Sequence, residues 1–162
     1  MPKHTLSIIA GEDTANIIDT VAAIAKGKTK RSGATASEFI RFIHRFFESG
    51  PPDELKERSP KELFNAANDA WDCLQARKPG APKIRIKAPA GDSHTTVLII
   101  NDDMPFLVDS VMAELERMEL SASLMLYPIL SVVRDNGGRL TALPEQSGKK
   151  TPASAIVESL MH

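Results

Sequence analysis

Two segments of different hydrophobic period meet at Asn101-Asp102-Asp103-Met104-Pro105-Phe106-Leu107-Val108-Asp109-Ser110. The apolar, β-branched run 95–100 precedes it and predicts a strand. Apolar residues recur at helical spacing after it, so a helix over 104–119 is expected. Asp103 is the expected N-cap of that helix, and Pro105 would lie in its first turn, where a missing N–H group costs little. The stretch therefore predicts a strand-to-helix turn.

Strand patterns begin at a proline- and glycine-containing boundary, Pro79-Gly80-Ala81-Pro82. Basic and apolar residues alternate in Lys83-Ile84-Arg85-Ile86-Lys87, which predicts a half-exposed strand whose solvated charges guard a sheet edge. The more apolar run 95–100 is expected to lie nearer the centre of the sheet.

The residues after the central helix predict a further strand and a hairpin. The apolar run 122–133 predicts a long strand, interrupted at Pro128 by a bulge or an edge position. Asp135-Asn136-Gly137-Gly138 is a strong hairpin-turn signal, so 139–143 should return as a short strand. The final segment, 153–161, is compatible with a weak helix or with the start of another strand.

The first 78 residues predict three amphipathic helices that pack as a small bundle. The first helix is expected over 13–27, after a short strand or arm at 6–10. The second is expected from Ser37 to the stop signal Gly50-Pro51-Pro52. The third begins at Ser59-Pro60-Lys61-Glu62, which combines an N-cap, a proline at the first helical position and an early acid.

The composition is that of a globular protein, with 42% hydrophobic and 25% charged residues in a chain of 162. A formal net charge of −1 provides no general attraction to nucleic acids or membranes. The single cysteine, Cys73, excludes an intramolecular disulfide and fits a reducing compartment. Apolar runs are too short to span a bilayer and the N-terminus lacks a signal-peptide pattern, so a cytoplasmic protein is expected.

Few motifs in the sequence indicate a catalytic, metal-binding or cofactor-binding site. The segment 22–29 satisfies a loose phosphate-loop pattern, but it lies inside a predicted helix, so a helix end with a basic tail is the preferred interpretation. The four histidines lack metal-ligand spacing, and no dinucleotide-binding GxGxxG occurs. Cys73 is interpreted as a core residue. Asp102 and Asp103 fit an acid–base pair or a cation site, although capping and turn formation explain them more simply.

Most of the chain resembles the N-terminal part of the large bacterial NAD-specific glutamate dehydrogenases. The string 101–110 is the most specific element of this resemblance. The resemblance also covers 77–85, 97–100, 127–130 and 133–138. It is weaker over 51–55 and 63–71.

The resemblance implies an α+β fold in which a helical segment precedes an ACT-like, ferredoxin-like βαβ unit. The expected division is a helical subdomain over 1–78 and an ACT-like unit over 79–162, truncated at its C-terminal end. Glu158-Ser159-Leu160-Met161-His162 would then only lead into the next strand of the unit, which would be missing.

The resemblance also implies a parent enzyme that converts L-glutamate, NAD and water into 2-oxoglutarate, ammonia and NADH. No catalytic or NAD-binding residue of the dehydrogenase core falls within this chain, so NAD is expected to bind outside it. Catalytic residues, cofactor-binding residues and metal ligands are all expected to be absent here. The expected partners are the remaining domains of the parent and its other copies in a homo-oligomer, but neither nucleic acid nor membrane.

The candidate site is an effector-binding or interface turn formed by Asn101, Asp102, Asp103, Pro105, Phe106 and Asp109. Phe106 stands where the D-x-P-G turn of ACT modules has glycine, and Tyr127 stands where the family often has histidine. Two roles remain open: the turn binds a small amino-acid effector, or the module packs against other domains or subunits through an exposed sheet edge and the Phe-rich helices. The alternative from another class is a free-standing, amino-acid-sensing ACT-like regulator.

Overall fold

The structure, a computed structural model, describes residues 3–28, 34–88, 91, 94–145 and 151–162. Within these residues, five helices and five strands follow one another along the chain. They are α1 (Lys3–Lys28), α2 (Ala34–Glu48), α3 (Pro52–Lys56), α4 (Pro60–Leu74), β1 (Lys83–Lys87), β2 (Thr96–Asp102), α5 (Leu107–Arg117), β3 (Ile129–Arg134), β4 (Leu140–Ala142) and β5 (Ile156–Met161). No helix of the described part is long and apolar enough to cross a membrane.

The helical half agrees with the predicted order of elements but differs at several boundaries. Helix α1 begins at Lys3, so 6–10 is helical and is neither a strand nor an arm. The short helix α3 lies between the predicted second and third helices and was not expected. The start of α4 is confirmed: Ser59 Oγ accepts from the Glu62 N–H, and Glu62 Oε2 accepts from the Ser59 N–H at 2.7 Å. This reciprocal capping box satisfies N–H groups that the first turn leaves free.

The sheet has the strand order β1-β2-β5-β3-β4, and every neighbouring pair is antiparallel. Strands β2 and β3 are joined through α5, and β5 lies between them. This split βαβ arrangement is the ferredoxin-like core that the family resemblance implies. The position of β2 inside the sheet and the hairpin between β3 and β4 are confirmed. The strand predicted over 122–133 was placed too early, because β3 begins only at Ile129.

The expectation that Glu158–His162 only leads into a missing strand is wrong. Residues Ile156–Met161 form β5, the central strand, which pairs Ile100 with Leu160 on one side and Leu130 with Glu158 on the other. The apolar pattern of this segment is short and contains a glutamate, so its period did not distinguish a strand from a helix.

Among the described residues, the hydrophobic core joins helices α1, α2, α3 and α4 to one face of the sheet. Directly paired strand residues point to the same face, which places Leu98, Ile100, Leu130, Val132 and Leu160 together against the helices. On the helical side the core is aromatic: the Trp71 ring lies 5.5 Å from Phe39 and 5.3 Å from Phe42, measured between ring centroids. Helix α5 contributes no residue to this core.

Strand β1 presents to the helices the face that the sequence predicts to be solvated. Lys83 Nζ donates to the carbonyl oxygens of Cys73 and Ala76, which lie at and just beyond the end of α4. Such carbonyls lack helical partners and attract cations. The two isoleucines of β1 lie on the other face, where Ile84 is 60% exposed and Ile86 is 68% exposed. The prediction of solvated basic side chains at this edge is therefore wrong for Lys83 and Arg85, which the helices bind, whereas Lys87 remains 54% exposed.

His162 follows β5 and lies half-buried beside α2. Its ring lies edge-on to Phe46 with the centroids 5.5 Å apart, and its backbone exchanges two hydrogen bonds with Leu126. Burial removes water from the imidazolium and lowers the pKa of His162 from 6.5 to about 4. Its Nδ1 finds no hydrogen-bond partner among the described residues.

Acidification is expected to cost about 3 kcal/mol of stability through His162 alone. The unfolded imidazole takes up a proton near pH 6.5, whereas the folded one does so only near pH 4. The stability present above pH 6.5 is therefore lost progressively as the pH falls to about 4. Urea unfolding across this range measures the loss, and His162→Leu should remove it. An unchanged pH dependence in the variant would assign the effect to another group.

Candidate functional site

The strand-to-helix turn has a different cap from the one predicted. Phe106, and not Asp103, is the N-cap of α5, and no side chain of the cap bonds to the first turn. Its backbone is left-handed, with φ 63° and ψ 12°, and its side chain is 76% exposed. A bulky residue with positive φ is strained by roughly 1–3 kcal/mol. Pro105 precedes the cap, so α5 begins three residues later than predicted, at Leu107.

The two aspartates of the turn point to different places. Asp102 lies on the helix-facing side of β2 and accepts from Arg77 Nη2. Asp103 instead accepts from the buried Ser159 hydroxyl, and its backbone N–H donates to the Val157 carbonyl at 3.1 Å. Both carboxylates therefore have internal partners, and the geometry favours neither an acid–base pair nor a shared cation site.

Asp102 belongs to an ion-pair network at the centre of the molecule. The Glu158 side chain, 1% exposed, accepts from Arg77 Nε at 2.9 Å and from Arg134 Nε and Nη2 at 2.8 Å. The formal charges of the two arginines and two acids cancel, which is what burial of charged groups requires.

The same arginines bind backbone carbonyls that connect the helical layer to the sheet. Arg77 Nη1 donates to the Ala81 carbonyl at 2.8 Å. Arg134 Nη1 donates to Leu74 at the end of α4 and to Gly138 in the β3–β4 hairpin, at 3.1 and 2.9 Å. The network therefore ties α4, β2, β3 and β5 together at one point.

A hydrogen-bonded chain runs beneath the turn on the other face of the sheet. The Tyr127 hydroxyl donates to Ser159 Oγ at 3.0 Å, and Ser159 Oγ donates to Asp103 at 2.5 Å. Ser159 lies on β5 and is fully buried. The chain orients Asp103 and Tyr127 at the rim of a depression.

The depression has a volume of about 400 Å³ and is open to solvent. Its lining comprises Asp103, Met104, Pro105, Phe106, Leu107, Val108, Asp109, Tyr127 and Ile129. Four candidate residues, Asp103, Pro105, Phe106 and Asp109, thus lie together. Of the other two, Asp102 belongs to the ion-pair network, and Asn101 lies beside the depression, where its Nδ2 contacts Sδ of the lining residue Met104 at 3.9 Å.

Sequence reasoning did not identify the residues that hold the turn in place, namely Arg77, Arg134, Glu158, Ser159 and Tyr127. One signal was present for Glu158, which is the charged residue of the mostly apolar run Ile156–Met161. A charge in such a run needs a buried partner, but the sequence does not show which of the 20 lysines and arginines supplies it.

The phosphate-loop pattern and Cys73 fit the interpretations preferred from the sequence, a helix end and a core residue. The phosphate-loop pattern lies in α1 up to Lys28, and its last residue, Thr29, lies outside the described residues. Cys73 is fully buried in α4, as expected of a core residue.

Comparison with known proteins identifies relatives over most of the chain. The family model described as glutamate dehydrogenase, ACT1 domain, matches residues 42–162. An NAD-specific glutamate dehydrogenase of Halomonas elongata is 33% identical over 132 residues, which are 78% of this chain. A protein of the same name from Pseudomonas aeruginosa is 34% identical over 128 residues, or 75% of the chain. The chain spans only 8% of the length of each relative. No solved structure matches it.

Proposed function

Because the chain belongs to the glutamate dehydrogenase ACT1 domain family, we propose that it is a non-catalytic module of a much longer NAD-specific glutamate dehydrogenase. The parent reaction would oxidise L-glutamate with NAD and water to 2-oxoglutarate, ammonia and NADH. Both relatives are named for NAD specificity, and the chain corresponds to a small fraction of each. The chain contains no dinucleotide fingerprint, so NAD would bind elsewhere in the parent.

The size of the native product tests this assignment. An antibody raised against the 162-residue chain should detect a band many times heavier than 17.6 kDa in source cells. Immunoprecipitation of that band should carry NAD-dependent oxidation of L-glutamate with it. A band at the mass of the chain itself, or a heavy band without this activity, would contradict the assignment.

For the turn we propose an architectural role, in which it packs against another part of the parent enzyme. This proposal rests on one contrast within the turn: its two adjacent aspartates are hydrogen-bonded inside the chain, whereas two of its apolar side chains are exposed to solvent. Asp102 and Asp103 have internal partners, whereas Met104 is 45% exposed and Phe106 is 76% exposed. Exposed apolar side chains clustered at one place are typical of protein contacts.

Phe106→Gly is expected to separate this role from folding. Glycine relieves the strain of positive φ, its greater entropy in the unfolded chain partly offsets that gain, and the exposed ring contributes little to the core. The 162-residue variant should therefore be no less stable than the wild type. In the full-length enzyme the same change should weaken assembly of domains or subunits, as measured by sedimentation. Met118→Gly, at the exposed C-cap of α5, serves as the control and should leave assembly unchanged. Normal assembly of the Phe106 variant would contradict the architectural role.

The depression supports a second candidate, binding of a small amino-acid effector. It adjoins the N-terminus of α5, whose first N–H groups have no side-chain cap. Such groups attract carboxylates. Calorimetric titration with amino acids and 2-oxo acids tests this role, and Phe106→Gly should strengthen binding by opening the rim. Absence of heat with both the wild type and the variant would exclude it.

A further inference from the structure

The sheet has an open edge at β1. Within the described residues, β1 pairs with β2 on one side and with no strand on the other. An edge strand presents backbone N–H and C=O groups that can accept a further strand. Natural edge strands usually prevent this with exposed lysines, prolines or bulges.

The usual protection is reduced at this edge: of the three cations of β1 only Lys87 is exposed, at 54% of its side chain, and it is held in an ion pair. Lys83, Arg85 and Lys87 all face α4, where Arg85 Nη1 donates to the Asp69 carbonyl and Lys87 Nζ pairs with the Asp69 carboxylate at 2.6 Å. The side chains left on the opposite face are Ile84 and Ile86, each more than half exposed. The edge is therefore apolar on the side where charge would normally prevent pairing.

We propose that β1 pairs in antiparallel fashion with β1 of a second copy of this chain. The strand sequence, Lys-Ile-Arg-Ile-Lys over 83–87, reads the same in both directions. A two-fold axis at Arg85 therefore places Ile84 opposite the partner's Ile86 and Lys83 opposite the partner's Lys87. A two-fold symmetric contact between identical chains requires a self-complementary surface, and the palindromic sequence of β1 provides one.

The charges of the strand oppose this pairing less than their number suggests. Like charges placed directly opposite each other destabilise a sheet. Here the cations are bound within each copy, to Asp69 and to carbonyls at the end of α4. The four isoleucines of the two copies meet on the other face, where they bury apolar surface. The palindrome favours a second copy over an unrelated strand, because it aligns isoleucine with isoleucine.

The contact should be weak on its own. A pair of five-residue strands buries less than the roughly 1,200 Å² of a stable specific interface. A dissociation constant on the order of 100 µM is therefore expected for the 162-residue chain. Other contacts in a longer protein would strengthen it through effective concentration. The pairing goes beyond the proposed function, since it depends on β1 alone and not on the enzyme assignment.

Analytical ultracentrifugation of the 162-residue chain between about 10 µM and about 1 mM tests the proposal. The mass should rise from 17.6 kDa towards twice that value. The double variant Ile84→Lys with Ile86→Lys should remain monomeric. The control, Met118→Lys with Leu120→Lys, removes two apolar side chains of similar exposure away from the edge and should dimerise normally. A monomeric wild type, or assembly that survives the β1 changes, would overturn the proposal.

Disulfide trapping tests the register. In a Cys73→Ser background, chains carrying Ile84→Cys are mixed with chains carrying Ile86→Cys and oxidised with glutathione disulfide. The proposed register brings these two positions directly opposite each other, at a separation that suits a disulfide, whereas like positions lie on a longer diagonal. The mixed dimer should therefore form faster than either homodimer, as followed by mass spectrometry with one chain labelled with ¹⁵N. Equal rates, or faster homodimer formation, would overturn the register.

Discussion

Glu158→Gln is expected to lower the free energy of unfolding of this chain by about 3–5 kcal/mol. The carboxylate accepts three hydrogen bonds from two guanidinium groups, and the three side chains are at most 4% exposed. Glutamine has nearly the same shape, but it leaves two buried positive charges with only one acid, Asp102, which is half-exposed. The loss should be insensitive to salt, because buried pairs are screened little.

Urea unfolding measures this loss as a shift in midpoint at constant slope. Asp102→Asn is the matched control, since it removes the other acid bound to Arg77 from a site that is 52% exposed. We expect it to cost no more than about 1 kcal/mol. Equal losses in the two variants would show that Glu158 is not the acid on which the network depends.

Gly138→Ala is expected to destabilise the chain by about 3 kcal/mol. Gly138 has φ +82°, and a Cβ at this position would lie 2.0 Å from the carbonyl oxygen of Arg77. Relieving the clash must displace the hairpin from Arg77, whose N–H donates to the Gly138 carbonyl at 3.0 Å. The same carbonyl accepts from Arg134, so the change also disturbs the ion-pair network.

Gly80→Ala provides the control for this prediction. Its φ is +69°, but a Cβ there would meet nothing within 4 Å, so only backbone strain of about 1 kcal/mol is expected. Thermal unfolding of the two variants separates the clash from the strain. Similar melting temperatures would mean that the hairpin moves without cost and that its contact with Arg77 is dispensable.

Gly138 and Glu158 show which kinds of contact the sequence does not predict. The hairpin was predicted from its glycines, but the close approach of Gly138 to Arg77 joins parts of the chain that are 61 positions apart. Glu158 lies in a segment whose type the sequence leaves undecided, and its partners come from the segment that follows α4 and from β3. Side chains that meet only after folding leave no periodic signal in the chain.

The sequence predicts a strand-to-helix turn where the structure has one, between β2 and α5, but it does not predict the internal organisation of that turn. A strand and a helix were predicted on either side of it because each has its own hydrophobic period. The cap was assigned to Asp103 because aspartate is a common N-cap, whereas tertiary contacts with Ser159 and Val157 engage that residue instead. Phe106 then takes the cap position in a conformation that its side chain disfavours.

Features that depend only on neighbouring residues can be predicted from the sequence. These are the capping box at Ser59, the amphipathic face of α4, strands β1 and β2 and the β3–β4 hairpin. Tertiary structure decided which face of β1 is buried, that β5 is the central strand, and where the acids of the turn find their partners. The physical reason is range: periods, caps and turns act within a few residues, whereas burial and ion pairing depend on elements that meet only when the sheet and helices pack together.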